Sequence, residues 1–228
     1  MAKVIGIFGA AAILATTTMT GTAYSDHGHG TRGTLTAQAS MLKQGDRTDV
    51  TFTPIITTGD TIGEKGYRFE AIPDGIALQR HGGNKVDVYV NHETSTVPFP
   101  FNPTTPTEAN GENDFDNSQL SKLTLDRASG GVLEASMEIK SREGFQRFCS
   151  SFLGTEAEGF DRDLLLLNEE AIEWVSKSRP SWPAAQGASD ARQSGVVVAY
   201  DIRNGKRRPI WGMGRLNHEN SVALPGYD

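Results

Sequence analysis

Short apolar runs separated by turn-forming residues are the feature that most restricts the fold of this chain. From about residue 49 onward, apolar residues alternate with polar ones or form brief blocks, and glycine, asparagine and aspartate stand between the blocks. Residues 76–79 and 86–90, for example, flank Gly82, Gly83 and Asn84, which accept the positive φ of a tight hairpin turn. The pattern predicts an all-β chain built from antiparallel hairpins.

The same reasoning gives an order of elements along the rest of the chain. We predict a strand at residues 50–56, a second hairpin at 119–125 and 132–139, a buried strand at 164–167, a short helix at 171–177, and a third hairpin at 196–201 and 208–211. Hairpins of similar size joined by loops favour a β-propeller, here an incomplete one with about three blades. A β-sandwich is the alternative, because its sheets are also built from antiparallel hairpins.

The N-terminus has the pattern of a signal peptide. Lys3 precedes an apolar run over residues 4–15, and the small residues Gly21 and Ala23, or Ala23 and Ser25, fit signal-peptidase cleavage after Ala23 or after Ser25. No later run is long enough to span a bilayer, so we expect a secreted or periplasmic protein with no membrane partner after cleavage. The predicted divisions are a signal peptide over residues 1–25, a flexible N-terminal segment over 26–48 and a partial propeller domain over 49–228.

The composition restricts the partners of the chain, its disulfide bonding and the enzyme classes to which it can belong. The chain has 22 Lys and Arg against 28 Asp and Glu, which gives a net charge of -6. An acidic chain is not attracted to a phosphate backbone, so no nucleic-acid partner is expected. The single cysteine, Cys149, cannot form an internal disulfide. Serine-hydrolase elbows, zinc-protease helices and phosphate-binding glycine loops are all missing from the sequence.

Three similar polar triplets each follow a predicted element. They are Asn91-His92-Glu93, Asn168-Glu169-Glu170 and Asn217-His218-Glu219. Strand ends of successive propeller blades converge on a central channel, so Glu93, Glu169 and Glu219 are expected to share one volume. Converging carboxylates repel each other unless a cation compensates them, and oxygen ligands suit calcium or magnesium. The alternative is that each triplet only caps a turn and that its glutamate faces water.

Cys149 lies among the aromatic residues Phe145, Phe148 and Phe152. Such surroundings are typical of a buried cysteine that packs as a small apolar side chain. The functional alternative is a thiolate ligand at the same channel, and sulfur prefers a transition metal to calcium.

Several of these motifs, taken in order, resemble the PhoX-type family of secreted alkaline phosphatases. The resemblance covers about residues 68 to 225 and depends on short motifs whose order is the informative feature. The motifs are Ile72-Pro73-Asp74-Gly75 before a hairpin that ends in Asn91-His92-Glu93, the step Cys149-Ser150 before a strand that ends in Glu169-Glu170, and Gly214-Arg215-Leu216-Asn217-His218-Glu219.

The resemblance implies a β-propeller that holds calcium and iron and hydrolyses phosphate monoesters. It implies that Cys149 binds iron and that Glu169 and Glu219 bind metal, with Glu93 and Glu170 as further ligands; it assigns no catalytic residue. The chain resembles an N-terminal portion of such a protein. The alternative function is a non-catalytic binding module, a propeller that calcium stabilises.

Overall fold

The described part of the chain consists of β-strands, three short 3-10 turns and irregular segments. The computed structural model describes residues 33–62, 67–70, 72–93, 117–176, 191–224 and residue 226. Within these residues there is no α-helix, and no helical segment is long and apolar enough to cross a membrane. The predicted all-β class is therefore confirmed, whereas the signal peptide predicted over residues 1–25 lies outside the described residues.

Twelve strands are numbered here in chain order. They are β1 (Thr61–Ile62), β2 (Tyr67–Arg68), β3 (Pro73–Gly82), β4 (Lys85–His92), β5 (Gln119–Asp126), β6 (Val132–Ile139), β7 (Phe148–Gly154), β8 (Leu164–Glu169), β9 (Trp174–Ser176), β10 (Ala191–Gln193), β11 (Val197–Asp201) and β12 (Arg207–Pro209).

Strands β3, β4, β5 and β6 form one four-stranded antiparallel sheet, called sheet 1, in which each strand pairs with the next along the chain. The β3–β4 turn has Gly82 at φ 93° and Gly83 at φ 56°, as the sequence predicted for a tight hairpin. The first two predicted hairpins are thus neighbours in a single sheet. Thr34, from the segment predicted to be flexible, forms an isolated antiparallel bridge with Val132 beside the edge strand β6.

Strands β7, β8, β11 and β12 form the second four-stranded antiparallel sheet, called sheet 2. The two-stranded ribbon β9–β10 is inserted between β8 and β11. The predicted strand at 164–167 and the predicted hairpin at 196–211 therefore belong to one sheet. The described residues form two four-stranded sheets instead of three separate units.

Two local predictions are wrong. The described residues of the predicted helix, 171–176, are not helical, because Trp174–Ser176 forms strand β9 and pairs with β10. Residues 50–56 belong to no strand, although the backbone N–H of Thr36 donates to the carbonyl oxygen of Ile55 at 3.0 Å. In both places, contacts distant in sequence outweigh local propensity.

One hydrophobic core lies between the two sheets, and β3 of sheet 1 lies beside β7 of sheet 2. Its buried side chains come from both sheets: Ala77, Tyr89, Leu120, Ile139, Phe145, Phe148, Leu165, Leu167, Val196, Val198 and Tyr200. A second core covers the other face of sheet 1, where Tyr67 and Phe69 pack on Val88, Val90 and Leu123. Strands β4 and β5 of sheet 1 are therefore buried on both faces, whereas Ile76 and Leu78 of the edge strand β3 are exposed.

Gly75 marks the closest approach of the two sheets. A Cβ atom at this position would lie 2.7 Å from the carbonyl carbon of Ser150 and 2.7 Å from the backbone nitrogen of Ser151. Neither backbone atom can move without displacing β7. Only glycine therefore allows β3 to pack this closely.

We expect Gly75→Ala to destabilise the protein by about 1–3 kcal/mol, because the added methyl group overpacks the contact between the sheets. Gly212→Ala is the matched control, since a Cβ atom there meets nothing within 4 Å. Urea unfolding of both variants measures the difference. Equal stability of the two variants would contradict the close contact.

Candidate metal site

The two sheets repeat the same backbone feature at the start of their first strands. Ile72, immediately before β3, has φ 49°, and Arg147, immediately before β7, has φ 37°. They are the only non-glycine residues with positive φ in the described part of the chain. This conformation is unfavourable for a β-branched or bulky side chain, and such strain is concentrated at functional sites.

Each strained residue holds the glutamate that follows the second strand of its own sheet. The N–H of Glu93 donates to the carbonyl oxygen of Ile72 at 3.0 Å, and the N–H of Glu170 donates to that of Arg147 at 2.9 Å. The strand registers agree, because Pro73 pairs with His92 and Phe148 pairs with Glu169. The two sheets thus place equivalent residues at the same end.

This repeated backbone feature places Cys149 and Glu170, two predicted ligands from sheet 2, beside a third predicted ligand, Glu219. The sulfur of Cys149 and carboxylate oxygens of Glu170 and Glu219 all lie within 4.8 Å of one another. Glu219 comes from the segment after β12, which is attached to sheet 2 by a hydrogen bond from the His218 N–H to the Glu169 carbonyl oxygen at 3.0 Å. The Cys149 sulfur also lies 3.4 Å from the carbonyl oxygens of His218 and Glu219.

Sheet 1 adds two carboxylates to this group. Burial, a hydrogen bond with Asp74, and the negative charges of Asp74 and Glu170 raise the pKa of Glu93 to about 7. Burial and the charges of Glu219 and Glu170 raise the pKa of the Cys149 thiol to about 11. These five side chains, Asp74, Glu93, Cys149, Glu170 and Glu219, are called the acidic cluster below. The negative charges of the neighbouring carboxylates raise the pKa of Glu93 and of Cys149, and a bound cation would offset this repulsion.

Glu169 does not lie in the acidic cluster. Its buried carboxylate pairs with Arg192 at 2.5 Å and accepts hydrogen bonds from the backbone N–H groups of Gln146 and Val196 at 2.8 and 3.0 Å. The expectation that Glu169 shares a channel with Glu93 and Glu219 is therefore corrected. Glu169 is a buried structural carboxylate, and its neighbour Glu170 occupies the position beside Cys149.

A consistent reading of the triplets would have selected the correct glutamate. In a strand, the first and third residues share one face and the middle residue points to the other, so the equivalent residues are Glu93, Glu170 and Glu219. The structure follows this rule at the asparagines as well. Asn91 donates to the carbonyl oxygen of Ser150 at 2.9 Å, and Asn168 donates to the hydroxyl of the same residue at 3.0 Å.

Two residues of the site were not predicted as site residues from the sequence. Asp74 belongs to one of the short motifs, and Arg147 belongs to none of them. The charge of Arg147 lowers the pKa of Glu93 against the larger effect of burial, and its guanidinium lies 3.4 Å from Glu173. Positive φ in a non-glycine residue cannot be read from sequence, so no local signal identified Arg147.

The donor set fits a metal ion. Ligand atoms around one ion lie about 2.0–2.6 Å from it, so donors on opposite sides are separated by up to about 5 Å, which matches the spacing of Cys149, Glu170 and Glu219. Four carboxylates supply the oxygen ligands that calcium prefers. The single thiol adds a ligand that suits iron or another transition metal.

No known protein family, curated protein or solved structure matches this chain. The observations that support a functional site are therefore the geometry of the acidic cluster and the positive φ of Ile72 and Arg147 beside it.

Proposed function

We propose that the acidic cluster binds calcium and iron and that the chain belongs to a secreted, metal-dependent, phosphatase-like hydrolase that acts on phosphate monoesters. The observation that supports this proposal best is the convergence of two strained backbone positions, Ile72 and Arg147, on one group of ionisable side chains. Strain repeated in two sheets is costly to stability. If Ile72 and Arg147 hold Glu93 and Glu170 in place, the occurrence of this strain at the same end of both sheets is explained.

The chain's own residues divide into metal ligands and a candidate phosphate-binding group. Asp74, Glu93, Cys149, Glu170 and Glu219 would hold the ions, which in phosphate chemistry act as Lewis acids on the phosphoryl oxygens. Arg147 lies beside Glu93 and is partly exposed. A guanidinium in this position can hold two oxygens of a phosphate group and orient it toward the cluster.

The proposed architecture is part of a β-propeller. Sheets 1 and 2 are both four-stranded meanders, and their first strands, β3 and β7, are neighbours. This arrangement agrees with adjacent blades whose innermost strands surround a central axis. A sandwich of two sheets remains the alternative, because one core between two sheets satisfies it equally well.

The proposal is tested by metal analysis and by turnover of p-nitrophenyl phosphate. We expect the purified chain to retain calcium and iron, to lose both with a strong chelator, and to hydrolyse the ester only after the metals are restored. The Arg147→Ala variant should raise KM while metal content stays the same. A chain that binds no metal under any of these conditions would refute both the site and the activity.

The second candidate is a non-catalytic binding module that calcium stabilises. It is supported by the raised pKa of Glu93, since a cation that relieves this repulsion stabilises the folded state without any chemistry. This candidate requires that calcium raise the melting temperature and that p-nitrophenyl phosphate stay intact.

Calcium affinity should rise as the pH increases from 6 to 8. The pKa of Glu93 is about 7 because of burial, Asp74 and Glu170, so below this pH the carboxyl group is protonated and a cation must displace the proton. Above it, the carboxylate is already ionised. Isothermal titration calorimetry at three pH values measures the effect. The dependence should shrink in Glu93→Gln, and an unchanged dependence in that variant would exclude Glu93 as its source.

A further inference from the structure

A second charged site lies at the opposite end of the two sheets from the acidic cluster. It is a cleft of about 500 Å³ between the β3–β4 hairpin of sheet 1 and the β11–β12 turn of sheet 2. Gln79 connects its two sides by donating to the carboxylate of Asp163 at 2.6 Å. Arg80 is six residues from Asp74 along β3, so about 20 Å separates this cleft from the acidic cluster at about 3.3 Å per residue.

Five basic side chains line the cleft: Arg80, His81, Lys122, Arg162 and Arg203. The three carboxylates there already have partners. Asp87 is buried and receives Thr124 at 2.7 Å, His81 at 2.8 Å and Lys122 at 3.1 Å, Asp161 pairs with Arg162 at 2.6 Å, and Asp163 accepts from Gln79.

The charge of Asp87 is compensated by its hydrogen-bond and ion-pair partners. Burial alone would raise its pKa, but the hydrogen bonds from Thr124, His81 and Lys122 outweigh burial and hold the pKa below its usual range. Asp87 therefore stays ionised and fixes the two basic side chains beside it. An anion in the cleft meets positive charge that is already positioned.

Two guanidinium groups in the cleft, those of Arg80 and Arg203, form no hydrogen bond or ion pair among the described residues. Both residues are exposed, and the pKa of Asp161 is lowered chiefly by its hydrogen bond with Arg162 and also by the charge of Arg203. The backbone that carries Arg203 is firmly held, because its N–H donates to Asp201 at 3.0 Å and Asn204 donates to the same carboxylate at 2.9 Å. Planar guanidinium groups bind phosphate oxygens in pairs and with defined geometry.

From this arrangement we propose that the cleft binds a small phosphate monoester, with Arg80 and Arg203 on the phosphate group, Lys122 as a supporting positive charge and His81 as a further polar contact. The volume exceeds that of inorganic phosphate and accommodates a sugar-sized substituent. The chain carries a net charge of -6, so the concentration of positive charge at this end is a local feature that attracts anions. The inference does not depend on the proposed metal site.

The test is calorimetric titration of glucose 6-phosphate into chelator-treated protein at constant ionic strength, which removes any contribution from bound metal. We expect saturable binding with a Kd below about 1 mM and no binding of glucose. The Arg80→Ala/Arg203→Ala double variant should bind at least about tenfold more weakly. Arg208→Ala is the control, because this exposed arginine lies on the same β11–β12 hairpin but does not line the cleft.

Inorganic phosphate, titrated in parallel, separates recognition of the phosphate group from recognition of the whole ester. Tighter binding of the ester supports the proposed size of the site. The proposal is overturned if wild-type protein shows no saturable binding, or if the double variant and Arg208→Ala weaken binding equally, which would indicate general charge attraction only. Thermal melting confirms that the variants are folded.

Discussion

Replacing Glu169 by glutamine is expected to lower the free energy of unfolding by about 3–5 kcal/mol, the usual cost of removing one partner of a buried ion pair. The change leaves the guanidinium of Arg192 beside an uncharged, buried group. It also weakens the acceptor for the N–H groups of Gln146 and Val196, which connect the start of β7 and the start of β11 to the end of β8. In a domain of this size the melting temperature should fall by about 6–20 °C.

Glu170→Gln is the matched control, because the two glutamates are adjacent and only one of them lies in the acidic cluster. In chelator-treated protein this variant should be as stable as the wild type or slightly more stable, since it removes repulsion from Glu93 and Cys149. Its iron affinity should fall at least about tenfold, because the half of the site supplied by sheet 2 loses a charged ligand beside Cys149.

A double-mutant cycle tests the Glu169–Arg192 pair directly. Combining Glu169→Gln with Arg192→Met removes both charges, and the double variant should be less destabilised than the sum of the two single changes. If Glu169→Gln alone does not fold, a folded double variant supports the same conclusion. Additive losses would show that the two side chains do not interact, and a stable Glu169→Gln protein beside an unstable Glu170→Gln protein would contradict the structural role of Glu169.

The second large effect is expected at the cysteine. Cys149→Ser should abolish retention of iron, with a loss of affinity of at least about a hundredfold, because a serine hydroxyl is a poor ligand for a transition metal. Calcium binding should change much less, since Asp74, Glu93, Glu170 and Glu219 still supply oxygens. Elemental analysis after dialysis against each metal measures both outcomes.

The prediction for Cys149→Ser has a control variant and an outcome that would contradict it. Ser150→Ala removes a hydrogen bond to the Cys149 thiol but no ligand of the acidic cluster, so it should keep its iron with a much smaller loss of affinity than Cys149→Ser. A raised thiol pKa, near 11 because of burial and the charges of Glu219 and Glu170, makes the metal-free cysteine slow to react with alkylating reagents at neutral pH. Equal iron content in Cys149→Ser and wild type would exclude the thiol as a ligand.

The sequence predicted the hairpins well, since their evidence is local. Gly82 and Gly83 mark the β3–β4 turn, and alternating apolar residues mark the strands on either side. The grouping of hairpins into sheets was not predicted, because it depends on pairing between β8 and β11 across an inserted ribbon. The error at residues 171–177 has the same origin: strand β9 exists through its pairing with β10.

The candidate site was predicted in part. The recurrent Asn-x-Glu spacing and the lone cysteine identified Glu93, Cys149 and Glu219, and motif resemblance added Glu170. The choice of Glu169 failed because two successive glutamates look alike in a sequence, whereas in a strand they face opposite directions. The partner that neutralises Glu169, Arg192, lies 23 residues away, and no local pattern connects the two.

The equivalence of Asp74 and Cys149 at the start of the two first strands has a consequence for how the ions are distributed. Sheet 1 contributes an aspartate and a glutamate, and sheet 2 contributes a cysteine and a glutamate, on otherwise matching backbone frames. One exchange of oxygen for sulfur therefore gives the two halves different chemical preferences. We expect the half of the proposed site supplied by sheet 1 to favour calcium and the half supplied by sheet 2 to favour iron, because a single residue distinguishes the two halves.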